Sequence, residues 1–169
     1  MIRPILRYGE PALQARARPV EHFDDRLRQL LRDMAETMYA APGVGLAAPQ
    51  IGVPLRVFVI DVTVGRKPGE LHEIVNPEVV ACEGLQMEEE GCLSIPGFNA
   101  TVVRPTRVVV KGFDRDGHAS IIEGIDLLAR ALQHEMDHLD GALFVDRLRG
   151  IKRDVIVRKV QKLRRSGKW

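Results

Sequence analysis

The chain has 169 residues, a length that fits one domain able to bury about 70% of the surface exposed in its unfolded form. No apolar run approaches the roughly 18 residues of a membrane-spanning helix, the N-terminus lacks a run of signal-peptide length, and two cysteines are too few for a disulfide framework, so a cytoplasmic protein is expected. The net charge of +2 hides an asymmetry, because 10 of the 25 Lys and Arg residues and only one acidic residue lie in residues 147–168.

The first predicted element is a helix over residues 24–41. Its apolar residues recur on one helical face: Leu27, Leu30, Leu31, Met34 and Met38. Asp24 fits the N-cap position, and the pair Pro42-Gly43 ends the helix.

A glycine-rich loop follows the helix and reads GVGLAAPQ over residues 43–50. Its G-x-G-x-x-A pattern resembles a dinucleotide fingerprint, but that fingerprint follows a strand and opens a helix, whereas this stretch follows a helix and runs into Pro49. A loop whose backbone approaches an extended substrate fits better, with Gln50 offering an amide donor.

Strands are predicted next, over residues 56–61, 73–80, 107–113 and 119–122, the last two joined by a hairpin turn at residues 114–117. A second helix is predicted over residues 127–140 from its apolar stripe, and Gly141 ends it. Because strands and helices do not alternate regularly, the pattern predicts an α+β fold: a single domain with antiparallel or mixed strands packed around that second, central helix.

The two cysteines differ in their surroundings. Cys82 ends an apolar run and is predicted to be buried in the core. Cys92 lies in EEEGCLSIPG, where the glutamates before it and a Ser-Ile-Pro-Gly turn after it indicate an irregular, partly polar segment. That segment is atypical of a buried apolar cysteine, so Cys92 is a candidate metal ligand.

The second helix carries the pattern H-E-x-x-H at residues 134–138. His134 and His138 are one turn apart, so both imidazoles project from the same face and can share a metal, with Glu135 beside that face. A catalytic metal site needs a third protein ligand and one open position, and a Cys92 thiolate completes such a set.

Other third ligands are less suitable. The extended metzincin pattern fails because Phe144 occupies its last position, and no glutamate follows Glu135 to serve as a downstream ligand. An aspartate ligand stays open, from Asp140, Asp146 or Asp154.

The last predicted element is a basic helix within residues 147–168. Its apolar residues recur at helical spacing: Leu148, Ile151, Val155, Ile156, Val160 and Leu163. This pattern predicts one face against the body and cations outward, which fits a solvated charged helix and contact with an acidic partner such as RNA equally well.

Three stretches, G-x-G-x-A-A-x-Q over residues 43–50, E-G-C-L-S over 90–94 and Q-H-E-x-D-H-L-x-G over 133–141, together resemble the three signatures of the peptide deformylase family, complete and in the family's order. The resemblance extends from about Met1 to at least Arg147. It implies a hydrolase that removes the N-formyl group from the formyl-methionine of newly synthesised polypeptides and releases formate, in the cytoplasm of a bacterium. Residues 1–169 then form one catalytic domain, and the tail 147–168 resembles a C-terminal helix that touches the ribosome transiently.

The resemblance also implies roles for individual residues. One divalent metal ion is expected per chain, with Fe²⁺ favoured and Zn²⁺, Ni²⁺ or Co²⁺ as substitutes. Its ligands are Cys92, His134 and His138. Glu135 serves as general base and then as general acid, and the Gln50 amide and the Leu93 N–H stabilise charge on the formyl oxygen.

Five further residues are expected to bind the substrate: Val44, Gly45, Glu90, Gly91 and Leu127. The backbone of the loop and of the Cys92 segment resembles the family's peptide-holding edges, and Val44 and Leu127 line the methionine pocket. Glu90 and Gln133 flank metal ligands and can also orient them. Asn99 stands where some members have an Arg near the cleft, which leaves peptide preferences beyond the methionine open.

Two other classes fit parts of the pattern. One is a metallopeptidase or amidase of the H-E-x-x-H type that acts on a different substrate. The other is a non-enzymatic RNA-binding module whose structural metal is closed by Cys82 as a fourth ligand, although a ten-residue spacing between the cysteines fits poorly with most such sites.

Overall fold

A computed structural model describes residues 1–169 as an α+β fold, as the sequence predicts. Its helices are α1 (Asp25–Ala40), α2 (Leu127–Leu139) and α3 (Ile151–Arg165). Its strands are β1 (Gly45–Ala47), β2 (Val57–Ile60), β3 (His72–Glu83), β4 (Gln86–Gly91), β5 (Asn99–Arg104), β6 (Arg107–Phe113) and β7 (Ala119–Ile125). None of the helices has the length and apolar character needed to cross a bilayer.

The strands form two antiparallel sheets. The larger has the order β1-β2-β3-β6-β7, and the smaller contains β4 and β5 alone. Strand β2 is buried on both faces: Val57 and Val59 pack with the apolar side of α1, whereas Phe58 and Ile60 pack with α2. The helix that carries H-E-x-x-H is therefore central, because it lies on the larger sheet and reaches the smaller sheet through hydrogen bonds.

Helix α1 begins as the sequence predicts. The Asp24 side chain accepts a hydrogen bond from the Leu27 backbone N–H at 3.1 Å, which satisfies one of the free N–H groups of the first turn. The predicted apolar face is buried, and Leu31, Met34 and Met38 are fully inaccessible to solvent. This helix covers one face of the larger sheet and packs against β1 and β2.

Three strands were not predicted, and each lacks a period-two apolar pattern. Strand β1 has only three residues between glycine- and proline-containing turns. Strand β4 is mostly polar, and the inner face that β4 and β5 share carries Glu90 and Arg104, which are buried as a charged pair beside Val102. The prediction of an irregular segment before Cys92 is therefore wrong for residues 88–91, which belong to strand β4.

The prediction that Cys82 is buried is also wrong. Strand β3 runs on to Glu83, with register shifts between Val75 and Glu78 and between Val79 and Ala81. Beyond these irregularities the strand leaves the core, and Cys82 is exposed together with Val79 and Val80. An apolar run at the end of a long strand thus lies outside the packed layers.

Helix α3 contacts the body through a narrower stripe than its spacing predicts. Ile156 and Val160 are buried, as is Leu148 before the helix, but Ile151 is 79% exposed and Val155 is 42% exposed. At about 100° per residue, Val155 lies roughly 100° and Ile151 roughly 140° around the helix from Ile156, so neither shares its face. The basic side chains of the helix remain outward.

Candidate active site

Helix α2 and the turn after β4 bring three potential metal ligands together. The i, i+4 spacing places His134 and His138 on one face of α2, with their Nε2 atoms 3.2 Å apart. The Cys92 Sγ atom lies 3.3 Å from His138 Nε2, and the three donor atoms all lie within 4.8 Å of one another. No other cysteine joins this group, so the four-ligand closed site with Cys82 does not form.

These donors suit a metal ion in geometry and in chemistry. Tetrahedral coordination at ordinary zinc distances separates two nitrogens by about 3.3 Å and a nitrogen from a sulfur by about 3.6 Å, close to the separations seen here. In the metal-free protein burial lowers the pKa of His138, which favours the neutral imidazole that a metal needs. Against the effect of burial, the hydrogen bond to Cys92 raises the pKa of His134, whose proton a bound metal would displace. The site thus fits one metal bound by one sulfur and two nitrogens.

Glu90 holds the ring of His134. Its Oε1 accepts a hydrogen bond from His134 Nδ1 at 2.6 Å, which leaves Nε2 facing the other donors. Burial alone would raise the pKa of Glu90, but hydrogen bonds from Arg104 and His134 lower the pKa well below its usual range. The buried carboxylate therefore stays ionised and fixes the tautomer and orientation of a candidate ligand.

Gln50 is buried and held from both ends of its amide. Its Oε1 accepts from the Ala47 backbone N–H at 2.9 Å, and its Nε2 donates to Ser94 Oγ at 3.1 Å and lies 3.7 Å from Cys92 Sγ. The Ser94 backbone N–H also points at that sulfur, at 3.4 Å. Donors from two separate segments thus converge on the Cys92 side of the site.

The Glu135 carboxylate lies in the same space without a partner. Its Oε2 is buried and makes no hydrogen bond, and burial raises the pKa of Glu135 to about 7. A Cβ atom on Gly45 would lie 2.5 Å from Glu135 Oε1, so only glycine lets β1 approach this carboxylate so closely. The site therefore contains a free acid that titrates near neutral pH.

A cavity of about 280 Å³ joins these groups to solvent. It lies between the edges of β1 and β4, neither of which pairs with another strand on that side. All predicted site residues except His138 line it: Val44, Gly45, Gln50, Glu90, Gly91, Cys92, Leu93, Leu127, His134 and Glu135. His138 is not part of the cavity lining, but it contacts Cys92 and His134 and completes the ligand group.

Comparison with known proteins identifies the family. The polypeptide deformylase family model matches residues 2–154. The chain is 48% identical over 169 residues to the peptide deformylase of Acidobacterium capsulatum, covering 100% of this chain and 99% of that protein, and 51% identical over 166 residues to that of Acetivibrio thermocellus, covering 98% and 95%. The chain belongs to the peptide deformylase family.

Solved structures agree with this assignment. The crystal structure of a peptide deformylase from Legionella pneumophila superposes with a TM-score of 0.92 at 51% identity, covering 99% of this chain and 98% of that one. The peptide deformylase of Plasmodium falciparum gives a TM-score of 0.90 at 33% identity, covering 97% and 96%. The predicted resemblance is confirmed, and the chain is a metal-binding hydrolase of protein processing with peptide deformylase activity.

Sequence reasoning missed the charged network behind Glu90. Arg104 and Arg130 both pair with its carboxylate, and Arg104 Nη1 also donates to Asp137 Oδ2 at 3.0 Å. Arg147 closes the network with two bonds to Asp137, at 2.6 and 2.7 Å. The available signal was an aspartate inside the H-E-x-x-H turn and two arginines among apolar residues, since such charges must find partners when buried.

We expect Glu90→Gln to weaken metal binding about 10- to 100-fold, because the amide cannot hold the His134 ring as a charged acceptor. The substitution also leaves the buried Arg130 without a counter-charge and Arg104 with Asp137 alone, so unfolding free energy should fall by about 3 kcal/mol or more. Chelator competition and denaturant unfolding measure the two effects. Glu88→Gln is the control, because Glu88 is exposed on the same strand; equal metal affinity in both variants would contradict the assigned role.

Proposed function

We propose that residues 1–169 form one catalytic domain that removes the formyl group from the formyl-methionine of newly synthesised polypeptides in a bacterial cytoplasm. One observation supports this most: Cys92, His134 and His138 converge at the end of a cavity that also contains the unpartnered carboxylate of Glu135. A metal site, an acid near neutral pH and an open strand edge are the parts that hydrolysis of a peptide-linked formyl amide requires.

We propose that Cys92 Sγ, His134 Nε2 and His138 Nε2 hold one divalent ion per chain. When bound, the metal supplies Lewis acidity that lowers the pKa of water from 15.7 toward about 7. Ferrous iron is the proposed ion from the family resemblance, with zinc, nickel and cobalt as substitutes, because mixed sulfur and nitrogen donors accept all four.

Glu135 is proposed to move the proton. Its buried, unpaired Oε2 can accept a proton from the attacking water and pass it to the departing amine nitrogen. The same group must be a base before the attack and an acid after it, and in the metal-free protein burial already raises the pKa of Glu135 to about 7.

The substrate is proposed to lie as an extended strand between β1 and β4. The free backbone groups around Val44, Gly45 and Gly91 can pair with a peptide, as a strand edge does. Val44 and Leu127 then line the methionine side chain at the mouth of the cavity, where Leu127 is 51% exposed. Glu90 is proposed to act on this substrate only indirectly, through His134.

Two donors are proposed to stabilise charge on the formyl oxygen. The Leu93 N–H makes no hydrogen bond within the chain, and the Gln50 amide reaches the same side of the cavity. Donors aimed at a developing oxyanion are worth about 3 kcal/mol each in comparable enzymes. The Leu93 N–H belongs to the turn after β4, and the Gln50 amide donates to Ser94 in the same turn. The position of both donors therefore depends on that turn.

The ligand assignment predicts a sharp contrast between the two cysteines. Cys92→Ala, His134→Ala or His138→Ala should each lose bound metal and deformylation of a formyl-Met-Ala-Ser peptide together. Cys82→Ser should keep both, because Cys82 is exposed and outside the ligand group. Metal content per chain and formate release measure the outcome, and loss of metal in Cys82→Ser would contradict the assignment.

Glu135→Gln should give a stable, metal-loaded protein whose deformylation rate falls by roughly 10² to 10⁴ or more, because the amide cannot take the proton from water. Binding of the formyl-Met peptide should stay near its normal value, since the substrate contacts lie elsewhere. Single-turnover kinetics and peptide titration separate the two quantities. Glu123→Gln, at an exposed position of β7, is the matched control. A Glu135→Gln enzyme that deformylates the peptide at close to the wild-type rate would contradict the proposed role of Glu135.

The basic tail is proposed to contact the ribosome transiently. Residues 147–168 carry ten cations and one acid, and the cations of α3 are exposed. Such a surface attracts RNA through forces that salt screens. This proposal concerns association and does not involve the chemistry of the cavity.

Charge reversal at two outward positions of α3, Arg158→Glu with Lys162→Glu, should weaken ribosome association at low salt while turnover of a short formyl peptide stays within about threefold. The same change in charge at Arg66→Glu with Lys67→Glu, on an exposed loop, is the control. Co-sedimentation with ribosomes across a salt series measures both. Equal losses in the two variants would show that net charge alone decides association.

A further inference from the structure

The C-terminal residue Trp169 packs against two segments that flank the active site. Its indole Nε1 donates to the Tyr8 backbone oxygen at 2.8 Å. Its ring meets the Phe98 ring edge to face, with centroids 6.0 Å apart, and the Arg7 guanidinium lies 5.8 Å over it. Trp169 thus joins the end of α3 both to the N-terminal segment and to the turn that follows Cys92.

A second contact fixes α3 on the same segment. The guanidinium of Arg164 lies where a side chain at Gly9 would project, and Gly9 has a φ of +107°. Only glycine adopts that backbone conformation readily and also leaves room for the arginine. The end of α3 therefore docks on residues 7–9 through two neighbouring side chains, Arg164 and Trp169.

The N-terminal segment in turn holds the site. The Leu6 N–H donates to the Gln50 backbone oxygen at 2.7 Å, and the Tyr8 N–H donates to the Ser94 backbone oxygen at 2.8 Å. Gln50 and Ser94 are the two residues whose donors converge on Cys92 Sγ. A continuous series of contacts therefore runs from Trp169 through Tyr8 and Ser94 to the sulfur.

We infer that Trp169 is a positioning residue for the active site, and that α3 is coupled to the turn at residues 92–98 through it. The inference deepens the proposed function, because it rests on the roles proposed for Cys92 and Gln50. The turn after β4 is irregular and is held by few backbone bonds, such as Ile95 N–H to Cys92 oxygen at 2.9 Å. Loss of Trp169 removes the ring contact to Phe98 and the hydrogen bond to the Tyr8 oxygen, so the turn is held less firmly, opens more often, and the thiol faces the imidazoles for less of the time.

The test measures Cys92 directly in metal-free protein. In a Cys82→Ser background, Cys92 is the only cysteine, so its reaction with a small aromatic disulfide reports how often the turn opens. We expect Trp169→Ala to raise that rate by roughly threefold or more, and to raise the rate of metal release from the zinc-loaded enzyme similarly. Trp169→Phe keeps a ring against Phe98 but loses the N–H donor, so it should give an intermediate rate. This variant still tests the inference if the alanine variant does not fold.

Steady-state kinetics give an independent readout. Because Gln50 is proposed to act on the developing charge, Trp169→Ala should lower kcat for a short formyl-Met peptide and change KM little. Phe113→Ala is the matched control: Phe113 forms an edge-to-face pair with Phe23 at 5.9 Å, and neither residue lines the cavity. The control should leave thiol reactivity, metal release and kcat unchanged at temperatures well below unfolding.

Equal thiol reactivity in the wild-type and both Trp169 variants would overturn the inference, and so would an equal increase in Phe113→Ala. The thiol measurement uses metal-free protein, so its outcome does not depend on whether Cys92 proves to be a metal ligand. Failure of the proposed function would appear instead as retained metal and activity in Cys92→Ala. The two failures are therefore distinguishable.

Discussion

The buried carboxylate of Glu90 is the constraint on which the rest of the site depends. A charge with 6% of its residue surface exposed must be paired, and Glu90 finds its partners on a neighbouring strand and on α2: Arg104, Arg130 and His134. These pairs cross three elements, so they set the position of the small sheet against the central helix. The same carboxylate orients the candidate metal ligand His134. One group therefore both attaches the small sheet to the central helix and positions a ligand.

The way the small sheet is attached explains why there is a cleft. Strands β4 and β5 pair only with each other and reach α2 through side-chain ion pairs and hydrogen bonds, such as Arg130 to the Val102 oxygen at 2.8 Å. Had β4 joined the ladder of the larger sheet, its backbone groups would be used and β1 would be covered. Because polar side chains provide the attachment instead, both strand edges stay free and face one cavity, with the ligand group at its end.

The sequence predicted those parts whose signal is local. Helix α1 and helix α2 follow from apolar periodicity, β6 from its valine-rich run before a hairpin turn, and the two histidines from a spacing that a helix alone converts into proximity. Strands β4 and β5 were missed because their shared inner face carries the charged residues Glu90 and Arg104, and the partners of Glu90 are 14 to 44 residues away. The burial of Cys82 was predicted wrongly because an apolar run indicates a strand but does not show where that strand leaves the core.

Two neighbouring residues of α2 show how the fold separates structure from chemistry. His134 and Glu135 are both buried, but they point about 100° apart around the helix. His134 faces the charged network and is held by Glu90, whereas Glu135 faces β1, where Gly45 has no side chain to pair with the carboxylate. Ionising an unpaired buried carboxylate costs free energy. In the folded metal-free protein Glu135 therefore keeps its carboxyl proton up to about pH 7. In the unfolded chain the same group ionises at lower pH, so this residue lowers stability as pH rises through that window, and a fold selected only for stability would not keep it.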